Sequence, residues 1–195
     1  MKVFTSFCVA VLMTVTVSAQ NAPKGLNLNE KAPDFSARDQ YGKNISLSNE
    51  LKKGAVVLVF YRGQWCPYCN RQLKQLEDSV SLIQQKGATV VTITPEVQEN
   101  IQKTITKTKA SYSILHDEGL RIMKSYDVAF KVDDKTIETY KKYGIDFLTA
   151  NGQENGANLP VPAVYVINQE GRIIYKHFDT DYRKRASVKE ILSHL

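Results

Sequence analysis

Two cysteines separated by two residues, Cys66 and Cys69, are the side chains of this sequence best suited to chemistry. Thiols at this spacing can close a small disulfide and reopen it, which makes the pair a dithiol/disulfide switch. Cys66 directly precedes Pro67, and proline favours the first position of a helix because its missing N–H would be unpaired there. Cys66 is therefore predicted at the N-cap, where unpaired backbone N–H groups and the helix dipole lower the pKa of a thiol.

The elements that must position the pair are a strand before it and a helix after it. Residues 55–60 form a continuous Val-rich apolar run, typical of a central strand that is buried on both faces. After Pro67, apolar residues recur at helical spacing as far as Gly87, which can end the helix. The pattern thus predicts that the thiols lie in a strand–turn–helix unit.

Three other interpretations of the cysteine pair are weaker. A structural disulfide over so short a loop would constrain little of the unfolded chain. A zinc site needs about four ligands, and His116, His177 and His194 are not paired at ligand spacing. A chance C-x-x-C would lack the strand, turn, Trp65 and helix that surround this one. Redox chemistry is therefore favoured, and no metal site is predicted.

The segment YRGQWCPYCNRQL resembles the active-site loop of the thioredoxin superfamily. From the APDF motif at residues 32–35 to its last helix, the chain resembles the alkyl hydroperoxide reductase/thiol-specific antioxidant group. Within that group it is most similar to peroxiredoxin-like proteins that carry a C-x-x-C. The resemblance implies an α/β class and a thioredoxin-like fold. The expected fold has a mixed β-sheet flanked by helices, with an N-terminal hairpin extension and an insertion before the last hairpin.

The resemblance also implies a docking surface for the substrate. Trp65, Pro67 and Tyr68 would border the cysteines. Pro162 precedes a predicted strand, as does the cis-proline of thioredoxin-like proteins. A cis bond there would turn the backbone of Val161 toward the sulfurs, where it could pair with a bound peptide chain.

The sequence departs from both groups at positions that matter for mechanism. When it is aligned with peroxiredoxins on FYxG, the peroxidatic position falls on Cys69. The Pro and Thr positions of that motif hold Arg62 and Cys66, and the distant Arg position holds Pro162. Arg62 is a candidate for stabilising a thiolate, but a solvated loop residue is the favoured interpretation. Phe60 replaces the buried Asp of thioredoxins, so deprotonation of Cys69 would need another base or water.

The favoured function is a thiol–disulfide oxidoreductase, in which Cys66 attacks a substrate disulfide and Cys69 resolves the mixed disulfide. The alternative is a thiol peroxidase, in which Cys69 is oxidised to a sulfenic acid and Cys66 resolves it. A third hypothesis is a copper-carrying module, which is less favoured because such proteins use a wider cysteine spacing and a distal His. The expected partners are a protein disulfide or hydroperoxide as substrate, and a thioredoxin-like or membrane-borne electron donor.

Domain boundaries and location follow from composition. Residues 1–19 combine a basic start, an apolar run and a small-residue cleavage site, which predicts a secretory signal. Residues 20–31 are expected to be a loose lead-in to one domain over residues 32–195. The mature protein would be periplasmic or secreted from a bacterial envelope, where disulfides persist. The net charge is +6, but the basic residues are scattered along the sequence, so no nucleic-acid partner is expected. No cofactor motif is found.

Residues 131–159 are the least predictable part of the chain. A helix is expected over residues 136–143, ending at Gly144, and the run NGQENGANL predicts a flexible polar loop. Such a segment could shape access to the thiols or be a solvated excursion. The last helix is predicted over residues 183–195.

Overall fold

The structure is a computed structural model that describes residues 22–195, and the predicted signal at residues 1–19 lies outside them. The strands are β1 (Ser36–Arg38), β2 (Asn44–Ser46), β3 (Ala55–Phe60), β4 (Ala88–Thr94), β5 (Ser113–His116), β6 (Ala129–Lys131), β7 (Asn158–Pro160), β8 (Ala163–Ile167) and β9 (Ile173–Phe178). The helices are α1 (Leu47–Leu51), α2 (Pro67–Asp78), α3 (Val80–Gln85), α4 (Gln98–Thr108), α5 (Arg121–Ser125), α6 (Asp134–Lys142), α7 (Phe147–Asn155) and α8 (Val188–Leu192). Within the described range, no helix is long and apolar enough to cross a membrane.

A five-stranded mixed sheet in the order β5-β4-β3-β8-β9 forms the centre of the domain. Strands β3, β4 and β5 are parallel, whereas β8 runs antiparallel to β3 and β9 antiparallel to β8. The predicted central strand is confirmed, since residues 56–60 of β3 are fully buried. Its successive side chains enter two separate cores on the two faces of the sheet, as the alternation of a strand requires. The predicted α/β sheet flanked by helices is therefore confirmed.

The N-terminal extension is a hairpin, as predicted, in which β1 pairs antiparallel with β2. It adjoins the edge of the sheet through a bridge between Asp39 and Leu115. Helix α1 follows at once and is capped by Ser46, whose side chain accepts from the N–H of Asn49. The described part of the lead-in, residues 22–31, lies against the domain, where the N–H of Leu26 donates to Tyr165 Oη at 3.1 Å.

The polar run NGQENGANL is not a flexible loop, and that prediction is wrong. Most of it belongs to α7, which Asp146 caps by accepting from the N–H groups of Leu148 and Thr149. Asn155 is only 1% exposed, and its Nδ2 donates to the carbonyls of Pro95 at 2.7 Å and Asp117 at 3.1 Å. A polar sequence is buried here because its amides satisfy backbone groups that would otherwise lack partners.

The last helix is shorter than predicted, because α8 begins only at Val188. Ser187 is its N-cap and forms a reciprocal capping box with Glu190, which fixes the start of the helix. The residues before Ser187 are therefore not helical. Arg185 lies in this irregular stretch, which follows β9 and returns across the start of α2.

Candidate redox-active site

The two cysteines lie at the start of α2, immediately after the turn that follows β3. Cys66 is the N-cap and Pro67 the first helical residue, as predicted. Both thiols are free and buried, with Cys66 1% and Cys69 0% exposed, and the two sulfurs are hydrogen-bonded to each other. The geometry suits a reversible disulfide between neighbouring residues of one helical turn.

An arginine from the far end of the chain faces both sulfurs. Arg185 Nη2 lies 3.4 Å from Cys69 Sγ and 4.0 Å from Cys66 Sγ. The side chain is held in place by Gln72, whose Oε1 accepts from Nη1, and by the carbonyl of Tyr182, which accepts from Nε. Sequence reasoning missed this residue, and the only available signal was the basic cluster at residues 183–185.

The negative charge of the reduced pair lies on Cys69. Burial raises the pKa of its thiol. A hydrogen bond from Cys66 and the guanidinium of Arg185 outweigh this effect and lower the pKa to about 6. The hydrogen bond to Cys69 and burial together raise the pKa of Cys66. The expectation of a lowered pKa at Cys66 is thus wrong, because the hydrogen bond to Cys69 and burial outweigh the lowering effect of the backbone at the start of the helix.

Arg62 is buried rather than solvated, so the favoured interpretation of this residue is wrong. Only 5% of it is exposed, and its guanidinium lies 4.9 Å from the ring centre of Trp65 and 4.2 Å from that of Tyr182. Its Nη2 donates to Tyr140 Oη at 2.7 Å. Stacking on aromatic faces compensates the cation for part of its lost hydration.

An open pocket of about 340 Å³, here called the aromatic pocket, lies beside Cys66. The active-site turn and α2 contribute one wall, and the insertion contributes the other through α6 and the residues after it. The main lining side chains are those of Arg62, Trp65, Tyr68, Tyr140, Tyr143 and Tyr182. Trp65 packs edge-on against Tyr140 at 5.2 Å, which fixes the insertion to the active-site turn. The structure therefore places the insertion beside the thiols.

The backbone at Pro162 differs from the expectation. Every peptide bond of the described residues is trans, so the predicted cis bond before Pro162 is wrong. The N–H of Val161 donates to the carbonyl of Val128 at 2.8 Å and is not free to pair with a bound peptide. The physical reason is that the pairing of β6 with β7 continues to Val161, whose N–H is already bonded to Val128.

Glu96 is a second buried charged residue near the thiols that the sequence did not indicate. It follows β4, is 0% exposed, and its Oε2 accepts from the N–H of Gln64 at 2.7 Å. Its Oε1 has no hydrogen-bond partner among the described residues. Burial raises the pKa of this carboxyl to about 8.

Comparisons with known proteins identify the family of the chain. The model of the AhpC/TSA family matches residues 28–176. The chloroplastic peroxiredoxin Q of Suaeda salsa is 34% identical over 96 residues, which cover 49% of this chain and 44% of that protein. The chain thus spans less than half of the length of this curated relative.

Solved structures share the fold. Peroxidoxin BcpB from Mycobacterium tuberculosis aligns over 86% of this chain and 94% of its own, with a TM-score of 0.65 at 19% identity. The thioredoxin domain of a thiol-disulfide oxidoreductase from Bacteroides vulgatus aligns over 81% and 93%, with a TM-score of 0.52 at 19% identity. The predicted thioredoxin-like fold is therefore confirmed.

Proposed function

This chain belongs to the AhpC/TSA family, and we propose that it is a thiol–disulfide oxidoreductase that works through Cys66 and Cys69. The observation that carries the proposal is the division of labour between the two thiols. Cys66 lines the aromatic pocket, and Cys69 lies against Arg185. One sulfur is placed to meet the substrate, and the other is placed to hold the negative charge.

The reaction follows from this arrangement. Cys66 passes its proton to the Cys69 thiolate and attacks one sulfur of a substrate disulfide. A bond forms between Cys66 Sγ and that sulfur, and the other half of the substrate leaves as a thiolate, which takes up the proton of Cys69. Cys69 then attacks Cys66 Sγ and releases the second half. Two electrons pass from the protein dithiol to the substrate, and the protein is left with a Cys66–Cys69 disulfide.

Arg185 explains how Cys69 can become a nucleophile. Phe60 stands where thioredoxins have a buried Asp, so a carboxylate base is missing at that position. A guanidinium 3.4 Å from the sulfur stabilises the thiolate directly. Cys69 can therefore attack without a base in the position of that acid.

The test uses the two single variants Cys66→Ser and Cys69→Ser with a protein disulfide as substrate. Cys69→Ser should accumulate a stable mixed disulfide on Cys66, and Cys66→Ser should form none, both measured by intact-protein mass spectrometry. A mixed disulfide that forms on Cys69 in the Cys66→Ser protein would refute the assignment of the attacking sulfur.

A thiol peroxidase is the second candidate, and one observation favours it. Cys69 holds a thiolate beside a guanidinium, which is the arrangement that hydroperoxide reduction requires. Cys69 would attack the peroxide, become a sulfenic acid and release an alcohol or water, and Cys66 would then close the disulfide. Rapid consumption of hydrogen peroxide by Cys66→Ser, with a sulfenic acid trapped on Cys69, would favour this function over disulfide exchange.

The reaction also needs an electron donor and a cellular location. A thioredoxin-type or membrane-borne donor would reduce the disulfide, and the predicted signal would direct the protein to the bacterial envelope. For the copper-carrying hypothesis, residues 22–195 offer no group of three or more His, Cys, Asp or Glu side chains that could hold a metal ion.

A further inference from the structure

Arg62 is a buried cation that has no carboxylate partner among residues 22–195, although its charge acts to lower the pKa values of Cys66 and Cys69. No carboxylate among residues 22–195 forms a salt bridge with it. The six salt bridges of that range all lie at more exposed positions. Its Nη2 is used by Tyr140, but its Nη1 is buried and has no hydrogen-bond partner in the described part of the chain. A buried guanidinium with an unused donor is costly unless an anion or a polar group completes it.

The position of Arg62 indicates where such a group would come from. Arg62 lines the aromatic pocket, and Cys66 lines the same pocket. A ligand that reaches the Arg62 guanidinium therefore lies next to the sulfur that is proposed to attack. The cation and the thiol can act on two ends of one molecule.

The walls of the pocket define the rest of the ligand. Its volume of about 340 Å³ lies at the small end of the range of about 300–1,000 Å³ that is typical of small-molecule sites. The walls are mostly aromatic rings, which suit a flat or aliphatic body. Trp65 and Tyr140 are held by mutual edge-on packing, so this surface is preformed.

We infer that the aromatic pocket binds small organic disulfides that carry a carboxylate, with the carboxylate on Arg62 and the disulfide against Cys66. This inference deepens the proposed function and rests on it. Charge-assisted hydrogen bonds from a guanidinium to a carboxylate are among the strongest that a protein makes, so the charge should dominate the choice of substrate.

The kinetic test compares two aromatic disulfides with the reduced protein. Dithiobis(nitrobenzoate) has a carboxylate on each ring, whereas dithiodipyridine is uncharged at neutral pH, and both release a coloured thiol. Arg62→Gln should lower the ratio of the two second-order rate constants, carboxylate over neutral, by about tenfold. The ratio removes any general change in thiol reactivity, because such a change affects both probes alike.

Two further variants make the kinetic result specific. Arg71→Gln removes the same charge from an exposed position on α2, near Tyr68, and should leave the ratio within about twofold of the parent. Arg62→Lys keeps the charge and should retain part of the preference, which guards against a folding defect in Arg62→Gln. An unchanged ratio in Arg62→Gln, or an equal fall in Arg71→Gln, would overturn the inference.

A binding measurement separates failure of the pocket from failure of the proposed function. Trp65 is the single tryptophan of the chain and lines the pocket, so its fluorescence reports on occupancy. Phenylpropionate should bind about tenfold more tightly than phenylpropanamide, and Arg62→Gln should remove this difference. Equal binding of the acid and the amide would refute the inference even if both disulfides oxidise the protein. If neither disulfide oxidises the protein but the acid binds selectively, the redox function fails and the carboxylate site stands.

Discussion

Replacing the buried Glu96 by Gln should change how the stability of the protein depends on pH. Glu96 is 0% exposed, and burial raises the pKa of its carboxyl from 4.5 to about 8. The folded protein therefore keeps a proton on this side chain at pH values where the unfolded chain has lost it. Glutamine has nearly the same shape, keeps an oxygen to accept from the N–H of Gln64 and does not titrate.

The sign and size of the effect follow from proton linkage. Between pH 4.5 and about 8 the folded state binds more protons at Glu96 than the unfolded state does, so the free energy of unfolding falls as the pH rises. At 1.36 kcal/mol for each pKa unit, the full difference amounts to about 5 kcal/mol. This loss in the free energy of unfolding is absent below pH 4.5, where the carboxyl is protonated in both states.

The assay is urea unfolding of the two reduced proteins from about pH 4.5 to about pH 8.5, with the difference in unfolding free energy plotted against pH. Taking the difference removes the contributions of groups that do not interact with Glu96. Cys69 does interact with it, because the Cys69 thiolate adds to the rise in the pKa of Glu96, so the difference reports Glu96 together with this coupling. Glu99→Gln is the matched control, because the Glu99 side chain is 82% exposed, and it should give a nearly flat difference. A flat difference for Glu96→Gln would refute the reasoning, since it would mean that the carboxyl ionises as easily in the folded protein as in the unfolded chain.

Three further predictions test the site and the packing. Arg185→Gln should raise the pKa of Cys69 by about one unit or more, measured from the pH dependence of its alkylation, and the exposed Arg183→Gln should leave that pKa unchanged. Leu58→Ala should lower the free energy of unfolding by about 2–5 kcal/mol in urea titrations, because Leu58 is fully buried in the central strand. Asn155→Ala should cost about 2 kcal/mol or more in the same assay, because it leaves buried backbone groups without partners, and a cost near zero would contradict the role given to this amide.

The features that were predictable from the sequence are those that neighbouring residues determine. The apolar run at residues 55–60 defines a buried strand by itself, and the order Cys66-Pro67 defines the start of a helix. The hairpin of β8 and β9 follows from two apolar runs around a polar turn at residues 168–171. In each case the signal and the structure lie within a few residues of each other.

The features that were missed depend on contacts between distant residues. Nothing near Arg185 indicates that it meets a cysteine 116 residues earlier, and nothing near Arg62 indicates that Tyr140 accepts its hydrogen bond. The burial of Asn155 likewise depends on carbonyls that belong to other segments. The polarity of these side chains suggested exposure to solvent, because local composition cannot show which partner a polar group will find.

The distance along the chain between Cys69 and Arg185 also has a consequence for biosynthesis. The ribosome makes the cysteine pair first and its cation 116 residues later. During that interval Cys69 lacks the guanidinium that stabilises its thiolate. The surroundings that lower its pKa are therefore complete only when the segment after β9 has folded back over α2. A chain that ends before residue 185 should show a higher pKa for Cys69 than the whole protein, measured from the pH dependence of its alkylation.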